Sequence, residues 1–425
     1  MKNSSTIGKK FLSTASLQIV SRGLSVLAGL ILARYLGPEE YGLYTYILSI
    51  IAIVTIPVIA GLPQLLIREV AHIEVEENWA DLKGLFRWSS GFVVLISSLM
   101  MLAVLLALLF ELVTETTAHL LWFAMLLIPI KSFSSKQGAI LNGLSKPILG
   151  LLPEFILMPF MAIFIYTFFI LFNTAFTALL LIKVQIFTSV LTMLLGLYLI
   201  HKNTPREIFK VEPNYSFKKW NRALLPFSLM FFISTMNSEL ANVVLGYFKE
   251  KETVGFFKVA LQGITLVTLG MTAVNSILGP KIAKSYRKNN IAEAQELLKK
   301  SVRLNVCFSI PIALLLIVFG EWLITIFFGE SFKPAYQILC ILCVGQIINI
   351  FLGSVGLVLN MTGNERNSLK SLFITLVINM ILLFTLVPIY GSVGAALSVS
   401  ISLVIWNLLM SFEVHKLTKL KTWLT

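Results

Sequence analysis

Residues 21–42 read SRGLSVLAGLILARYLGPEEYG and include much of the first long apolar run of the chain. Arg22 lies inside this run, where a charged side chain near the middle of a bilayer costs at least about 2.5–3.5 kcal/mol. Helical spacing gives this segment one narrow stripe of polar and small side chains, formed by Gln18, Arg22, Ser25 and Gly29. The stripe predicts a helix whose cationic face lines a cavity. In the alternative, Arg22 lies near the cytosolic end and extends to the lipid headgroups.

The composition places the chain among integral membrane proteins. Hydrophobic residues make up 57% and charged residues 13%, whereas soluble domains carry about 25% charged residues. The first apolar run is too long for the apolar region of a cleavable signal peptide, so we expect it to remain as a spanning helix. Twelve apolar segments are long enough to cross a bilayer, at about 11–36, 41–67, 88–110, 118–143, 148–172, 175–200, 223–248, 255–280, 303–328, 335–362, 368–389 and 391–413.

The distribution of basic residues predicts the orientation. With the N-terminus inside, the short cytosolic loops and termini contain about 25 lysines and arginines, and the outer loops contain four. Both termini are therefore predicted to be cytosolic, in the plasma (inner) membrane. The same asymmetry explains most of the net charge of +13 without nucleic acid as a partner.

Two polar connections begin with a helix-capping pattern. Asn78 is followed by Asp81, and Asn290 by Glu293, and each pattern predicts the start of an amphipathic surface helix. Further short matches, GLY at 42–44 with GFF at 255–257 and ILN at 140–142 with VLN at 358–360, recur at nearly the same offset. An offset near half the chain predicts two parallel six-helix bundles, residues 1–212 and 213–425, around a central cavity.

The sequence shows no arrangement typical of an enzyme or a metal site. It has no nucleophile–base–acid set and no phosphate-binding loop, and its four histidines are scattered. Cys340 and Cys343 form a C-x-x-C pattern inside an apolar run, which we interpret as core packing. No catalytic residue, cofactor or metal ligand is predicted.

Seven ionisable residues lie inside predicted spans, and five of them are basic: Arg22, Lys131, Lys136, Glu154, Lys183, Glu239 and Lys258. Such residues are candidate pathway sites. An excess of positive charge at low dielectric favours an anionic substrate, above all a phosphate or diphosphate.

Three lysines are predicted to join Arg22 in binding this anion. Lys131 lies near the middle of the fourth segment and is expected to face the cavity. Lys136 lies closer to the cytosolic end, so an interfacial position is the alternative for it. Lys183 lies inside the sixth segment, and Lys258, near the outer end of its segment, is interpreted as interfacial.

Two acidic residues are predicted to couple transport to an ion, H+ or Na+. Glu154 follows Pro153, and its alternatives are pairing with a lysine and taking up a proton. Glu239 shares a helix face with Thr235 and Asn242, which could bind a cation or sugar hydroxyls or only seal helix contacts. The carboxamides in the second half are interpreted as polar packing residues: Asn275, Gln346, Asn349 and Asn379.

The first stretch also resembles a known superfamily. Ser21-Arg22, Leu24, Ile31, Ala33-Arg34 and Gly37 match in spacing the first helix of the peptidoglycan-precursor flippases. LGPEEYGLY at 36–44 is similar to the Wzx-type polysaccharide (O-antigen) flippases, and NVVLGYF at 242–248 resembles the start of their second half. These families belong to the multidrug/oligosaccharidyl-lipid/polysaccharide (MOP) superfamily. An acidic residue is common in them at the position of Asn242, so this chain departs from that pattern.

The resemblance implies an all-α flippase that moves a polyprenyl-diphosphate-linked oligosaccharide across the membrane by alternating access, for cell-surface polysaccharide biosynthesis. It implies membrane lipid, a polymerase and glycosyltransferases as partners, and by residue matching it makes Arg22 a diphosphate contact. One alternative is a MATE-like cation-coupled antiporter of small molecules or drugs. Another is a membrane-embedded glycosyltransferase or polymerase, which would need an acidic or metal-binding site on a large aqueous loop.

Overall fold

A computed structural model of the protein describes residues 2–172 and 176–423. The side chains of residues 2–19, 225, 226 and 276 lie outside this description, and with them the predicted stripe member Gln18. Every regular element in the described ranges is helical. The α-helices are α1 (Lys2–Ile59), α2 (Leu62–Glu76), α3 (Trp79–Leu109), α4 (Glu115–Ala124), α5 (Leu127–Gly143), α6 (Pro147–Leu152), α7 (Met158–Leu171), α8 (Ala178–Asn203), α9 (Phe217–Phe248), α10 (Lys251–Arg287), α11 (Ile291–Phe328), α12 (Ala335–Leu352), α13 (Val355–Met361) and α14 (Glu365–Thr418).

Most of the chain lies in helical stretches long enough to cross a membrane. Within the described residues, ten helical stretches are long and apolar enough to span a bilayer. Two of them, Val20–Glu76 and Glu365–Thr418, are 57 and 54 residues long, more than twice the roughly 20 residues of one crossing. Both contain a break at a glycine with positive φ, Gly37 (76°) and Gly391 (58°), a conformation that glycine adopts without steric cost.

The predicted helix caps are confirmed. The side chain of Asn78 accepts a hydrogen bond from the backbone N–H of Asp81 (3.3 Å), and Asn290 accepts one from Glu293 (3.2 Å). The prediction of separate surface helices is wrong, because each helix continues from its cap through the following span as part of α3 or α11. A capping pattern marks where a helix begins and carries no information about where it ends.

The turn before each cap supports the internal repeat. Glu77 and Asn289 directly precede the two capping asparagines, and both have positive φ, at 54° and 56°. Left-handed backbone is uncommon for residues other than glycine. The same turn geometry therefore recurs at equivalent positions of the predicted repeat.

The chain forms two compact units. Unit 1 comprises Met1–Ile31 and Ile47–Glu239, and unit 2 comprises Leu32–Tyr46 and Leu240–Thr425. The predicted division of the chain at residues 212 and 213 stays a prediction.

In unit 1, α5 packs against α2, α3, α6 and α8. Glycines permit the closest of these contacts. A Cβ atom on Gly143 would lie 2.7 Å from the Cβ of Val70 in α2, and a Cβ on Gly138 would lie 3.0 Å from the carbonyl oxygen of Gly150 in α6. Small residues at helix crossings are typical of membrane proteins, in which close van der Waals contact drives helix association.

In unit 2, α10, α11, α12 and α14 pack together. One buried apolar cluster joins α10, α11, α13 and α14 with the C-terminal segment, and it consists of Val274, Leu278, Ile282, Ala294, Leu298, Val355, Val358, Leu359, Met410, Val414 and Leu420. Cys343 is buried in α12 and Cys340 is half-buried, both as free thiols.

Two glycines of unit 2, Gly42 and Gly255, lie at a close backbone contact. A Cβ on Gly42 would lie 2.9 Å from the backbone nitrogen of Gly255, and a Cβ on Gly255 would lie 3.3 Å from the nitrogen of Gly42. Gly42 and Gly255 begin one pair of the matched strings, so the contact is reciprocal between positions that the repeat makes equivalent. Any side chain larger than glycine at either position would force the two segments apart.

Candidate functional site

Lys136 is a buried ammonium on α5. Its Nζ donates hydrogen bonds to the hydroxyl of Ser90 and to the carbonyl of Phe86 (3.3 Å), both on α3, and lies 5.6 Å from the ring centre of Phe133. The ion pairs found among the described residues do not include it. A lysine that is desolvated and held by neutral groups can still attract an anion. The ammonium group of Lys136 is therefore buried in the protein rather than exposed at the membrane surface.

Lys131 lies one and a half turns earlier on α5 and is half-buried. It interacts electrostatically with Glu154, so the structure brings together a predicted anion-binding residue and a predicted ion-coupling residue. Glu154 is half-buried in the π-helical turn Pro153–Leu157, between α6 and α7. Single π-helical turns are rare, and they occur frequently at functional sites.

A small cavity adjoins Glu154. Its walls come from α5, α6, the π-helical turn and α8, and they include Ser134, Gln137, Gly138, Gly150, Glu154 and Thr192. Gln137 is buried, and neither its Nε2 nor the hydroxyl oxygen of Ser134 has a hydrogen-bond partner within the described part of the chain. Buried polar atoms without a partner are uncommon and require an explanation.

The sequence interpretation missed Ser134, Gln137 and Thr192. A signal for two of them existed, because Ser134 and Gln137 follow Lys131 at intervals of three residues and so lie along one side of α5. The contribution of α8 depends on packing between distant segments, which helical spacing along one segment does not predict.

The other predicted site residues lie elsewhere in unit 1. Arg22 is exposed on α1, and on the same helix the hydroxyl of Ser25 donates to the carbonyl of Ser21 (2.9 Å). Lys183 is exposed on α8, with its Nζ 5.3 Å from the ring centre of Phe123. Their roles, like those of the other candidate residues, remain predictions.

Glu239 lies on α9 and is half-buried. Its carboxylate accepts a hydrogen bond from the hydroxyl of Ser49 on α1 (2.7 Å). This contact joins two helices of unit 1. It is compatible with either of the predicted roles, binding a cation or sealing a helix contact.

Unit 1 also contains a buried carboxylate that the sequence interpretation did not select. The side chain of Glu69 on α2 is 3% exposed and forms ion pairs with Lys219 (2.7 Å) and Arg68 (2.9 Å). At the start of α2, the hydroxyl of Ser228 on α9 donates to the carbonyl of Ala60 (2.8 Å). These contacts fix α2 against the first part of α9.

Three comparisons with known proteins bear on this arrangement. Residues 31–337, well over half of the chain, match the family model Polysacc_synt_3, described as polysaccharide biosynthesis protein. The chain is 26% identical over 181 residues to the capsular polysaccharide biosynthesis protein CapF of Staphylococcus aureus, a match that covers 42% of this chain and 45% of the relative. It is 24% identical over 178 residues to the probable low-salt glycan biosynthesis flippase Agl15 of Haloferax volcanii, covering 42% and 38%. The matched segment thus spans less than half the length of either curated relative.

The solved structures that resemble the chain share its fold over nearly the whole length. The lipid II flippase MurJ, in an inward closed conformation, superimposes with a TM-score of 0.75 at 18% identity, covering 95% of this chain and 87% of that protein. An inward-facing multidrug resistance MATE transporter of the MOP superfamily superimposes with a TM-score of 0.74 at 16% identity, covering 95% and 99%. The fold is therefore the one found in transporters of that superfamily.

Proposed function

The chain belongs to the polysaccharide biosynthesis protein family, and we propose that it is a flippase that moves a polyprenyl-diphosphate-linked oligosaccharide across the plasma membrane by alternating access. The buried ammonium of Lys136 carries this proposal. A charged lysine inside a membrane protein costs free energy, and residues of this kind typically mark a substrate or ion pathway. The neutral partners of Lys136, Ser90 and Phe86, leave its charge available to an anion. The names of the two curated relatives, a capsular polysaccharide biosynthesis protein and a probable glycan biosynthesis flippase, support the same substrate class.

In this proposal the diphosphate contacts basic residues of unit 1. Arg22, Lys131, Lys136 and Lys183 are the proposed ligands, and the lipid tail stays in the bilayer. Arginine and lysine differ here, because a guanidinium can bind a phosphate through two parallel hydrogen bonds whereas an ammonium acts as a point charge. Arg22 would therefore orient the diphosphate, and the lysines would stabilise its charge.

The membrane topology is also a proposal. The glycine breaks at Gly37 and Gly391 would divide the two longest helical stretches into two spans each, which raises the ten stretches to twelve. An even number of spans leaves both termini on one side, and the excess of lysine and arginine in the loops of that side supports the cytosol. Two six-helix bundles, residues 1–212 and 213–425, follow from the same count.

The chain acts as a transporter and not as an enzyme in this proposal. Glycosyltransferases would supply the lipid-linked oligosaccharide on the cytosolic side, and a polymerase would use it on the other side. The energy would come from H+ or Na+, with Glu154 and Glu239 as the proposed coupling residues.

A cation-coupled small-molecule antiporter is the second candidate, because the MATE transporter superimposes about as well as the flippase MurJ. The fold does not separate the two functions, but the charges of the candidate residues favour the flippase. A site for cationic drugs is expected to be acidic, whereas four of the six candidate residues here are basic.

The test is a flipping assay with purified protein in vesicles that contain a fluorescent polyprenyl-diphosphate oligosaccharide. An impermeant pyrophosphatase outside the vesicles cleaves only outward-facing substrate. With the protein present, we expect more than half of the substrate to be cleaved, and we expect the fraction to fall when Lys136 is replaced by methionine. Cleavage equal to that of empty vesicles, together with uptake of a cationic dye, would overturn the proposal in favour of the antiporter.

A further inference from the structure

The cavity beside Glu154 has the chemistry of a small oxygen-rich site. One carboxylate, one carboxamide and two hydroxyls surround it, contributed by Glu154, Gln137, Ser134 and Thr192. The hydroxyl of Thr192 donates to the carbonyls of Thr188 and Ser189 within α8 (both 3.0 Å). Its oxygen lone pairs remain able to face the cavity.

Two buried polar groups of this cavity have no hydrogen-bond partner among the described residues. Gln137 is 4% exposed, and its Nε2 is unpaired, as is the hydroxyl of Ser134. The orientation of a glutamine amide depends on the hydrogen-bond network around it, so Gln137 can also present its oxygen. Leaving a buried donor or acceptor unsatisfied costs about 1–3 kcal/mol, and a ligand that completes these groups removes that cost.

The backbone around the cavity is irregular where the carboxylate enters it. Pro153 has no N–H group, and the turn Pro153–Leu157 is π-helical, so the regular helical hydrogen bonding is interrupted next to Glu154. Gly138 and Gly150 bring the backbones of α5 and α6 into contact at the same place. In membrane transporters, backbone carbonyls freed where a helix is interrupted typically coordinate Na+ or H+.

We propose that this cavity binds one monovalent cation, Na+ or a proton, on the carboxylate of Glu154. The cavity is lined by oxygen donors, which hard cations prefer, and it is too small for a sugar or a diphosphate group. The two ions share the same chemistry at the carboxylate, since each neutralises its charge. Gln137, Ser134 and Thr192 would complete the coordination of Na+ or hydrogen-bond the protonated acid.

A cation bound to Glu154 would change the electrostatic interactions of the charged groups near the site. Lys131 on α5 interacts electrostatically with Glu154. Lys136, also on α5, is directed to Ser90 on α3. On α8, Lys183 lies nine residues from Thr192, about 13 Å along the helix, and His201 lies nine residues away in the other direction. Lys131 is thus the cation whose interactions change when Glu154 is neutralised.

The consequence for transport rests on the proposed function. While Glu154 is charged, it attracts the ammonium of Lys131. A cation on Glu154 removes this attraction and leaves Lys131 able to contact the diphosphate. The cation and the anionic substrate would then strengthen each other's binding by the same factor, as thermodynamic linkage requires.

The binding site is tested without substrate, on the purified full-length protein in detergent. The melting temperature is measured in NaCl against equal concentrations of choline chloride, and then at several pH values in choline chloride. If the ion is Na+, we expect a rise that saturates with Na+ concentration, because a ligand that binds only the folded state stabilises it. If the ion is a proton, NaCl has no specific effect and the melting temperature of the wild type depends on pH.

Three variants and one control identify the site. Glu154→Gln is expected to abolish the Na+ effect or the pH dependence, and Ser134→Ala to weaken the apparent cation affinity about tenfold. Thr192→Val keeps the size of the side chain at position 192 and leaves the carboxylate of Glu154 in place. It therefore tests the site even if Glu154→Gln fails to fold. Glu115→Gln, at the exposed start of α4, is expected to leave the cation effect unchanged.

Equal responses of the wild type, Glu154→Gln and Thr192→Val to both Na+ and pH would overturn the proposed cation site. That result would not touch the flippase proposal, which the vesicle assay tests. Conversely, a cation effect that depends on Glu154, combined with no flipping, would keep the site and reject the proposed substrate.

Discussion

The two units of the molecule bury different polar side chains. Among the described residues, the buried charged side chains are Glu69 and Lys136, and both belong to unit 1. Most buried carboxamides belong instead to unit 2, namely Asn242, Asn305, Asn349, Asn379 and Asn407. Of the seven ionisable residues that the sequence places inside spans, only Lys258 lies in unit 2.

The difference is also visible at positions related by the repeat. Asn349 follows Lys131, and Ser354 follows Lys136, by one and the same interval, close to half the chain. In unit 2 these two neutral side chains hydrogen-bond to other neutral side chains. Asn349 donates to Gln346 (2.8 Å), and the hydroxyl of Ser354 donates to Asn275 (2.5 Å). The interpretation of these carboxamides as packing residues stays a prediction.

The comparison separates a stabilising role from a binding role. Neutral side chains can hydrogen-bond across helices for about 1–2 kcal/mol or less in a membrane. Burying a charged side chain, in contrast, costs several kcal/mol. A protein that carries an apolar residue at such a position is often more stable. The charges of unit 1 are therefore poorly explained by stability, and the anion and cation sites are both proposed there. Unit 2 would serve mainly as a scaffold.

The largest expected effect comes from removing the predicted diphosphate contact in unit 1. Arg22→Ala should lower the flipping rate at least about 30-fold, since truncating one partner of a hydrogen-bonded charge pair costs about 2 kcal/mol or more. The vesicle assay measures the rate, and the melting temperature shows whether the variant is folded.

Arg34 provides the matched control for Arg22, because it lies on the same helix but belongs to unit 2. Its guanidinium donates to the carbonyl of Ile326 (2.6 Å), so Arg34→Ala should affect stability more than transport. Equal loss of flipping in both variants would show that the two arginines do not differ in role, and the contrast between the units would lose its functional meaning.

A smaller loss of flipping is expected when Lys131 of unit 1 is replaced by asparagine, the residue at the related position of unit 2. Lys131→Asn should reduce flipping about 5- to 10-fold, because a charged hydrogen bond is replaced by a neutral one, at a cost of about 1–1.5 kcal/mol. Lys131→Arg, which keeps the charge, should retain most of the activity. If Lys131→Asn is as active as the wild type, the charge at this position does not serve the substrate.

The sequence was sufficient for the features that depend on local pattern. The membrane class follows from apolar length, and the caps at Asn78 and Asn290 follow from a side-chain acceptor three residues before an N–H group. The resemblance at 21–44 led to the family. Both kinds of signal are contained in short contiguous segments.

The sequence was insufficient for features that depend on contacts between distant segments. The burial of Lys136 results from α3 packing on α5, which places Ser90 and Phe86 around its ammonium. The cavity beside Glu154 needs α5, α6 and α8 together, and its neutral members Gln137 and Thr192 carry no charge that would single them out. Helical spacing predicts which residues share a face, but not which other helix covers it.

Replacing a buried carboxamide of unit 2 with an apolar side chain should stabilise the protein. Asn305 is fully buried, and neither its Oδ1 nor its Nδ2 has a partner within the described residues. Asn305→Leu keeps the number and branching of the side-chain heavy atoms and removes both unsatisfied groups, so it should raise the free energy of unfolding by about 1 kcal/mol or more. Flipping should stay within about twofold of the wild type.

Gln137→Leu makes the matching change in unit 1. It also removes an unsatisfied buried amide, so it should not destabilise the protein, but it should abolish the cation effect on the melting temperature. If Asn305→Leu, rather than Gln137→Leu, impairs ion response and flipping, the assignment of scaffold and binding roles to the two units is reversed.

The ion pairs of the two units are also expected to differ in their contribution to stability, by a smaller amount. Glu69 in unit 1 is buried, and its partner Lys219 is 63% exposed. Lys219→Ala should lower the free energy of unfolding by about 1 kcal/mol, less than for a fully buried pair, because solvent screens the lysine and Arg68 still contacts the carboxylate. Chemical unfolding monitored by tryptophan fluorescence measures the change, and a loss above about 3 kcal/mol would mean that Glu69 is left without compensation.

The smallest effect is expected at the exposed pair of unit 2, Lys333 with Glu321 (2.8 Å). The hydrogen bond from Lys333 to the Glu321 carboxylate raises the pKa of Lys333 above its ordinary value. A raised lysine pKa gives a stabilisation that is complete below the ordinary pKa, about 10.4, and that is lost only as the pH rises through the higher folded value. Lys333→Ala should therefore change the melting temperature by the same negligible amount at every pH from about 6 to 9. A pH-dependent difference in that window would show that another group, not Lys333, titrates with Glu321.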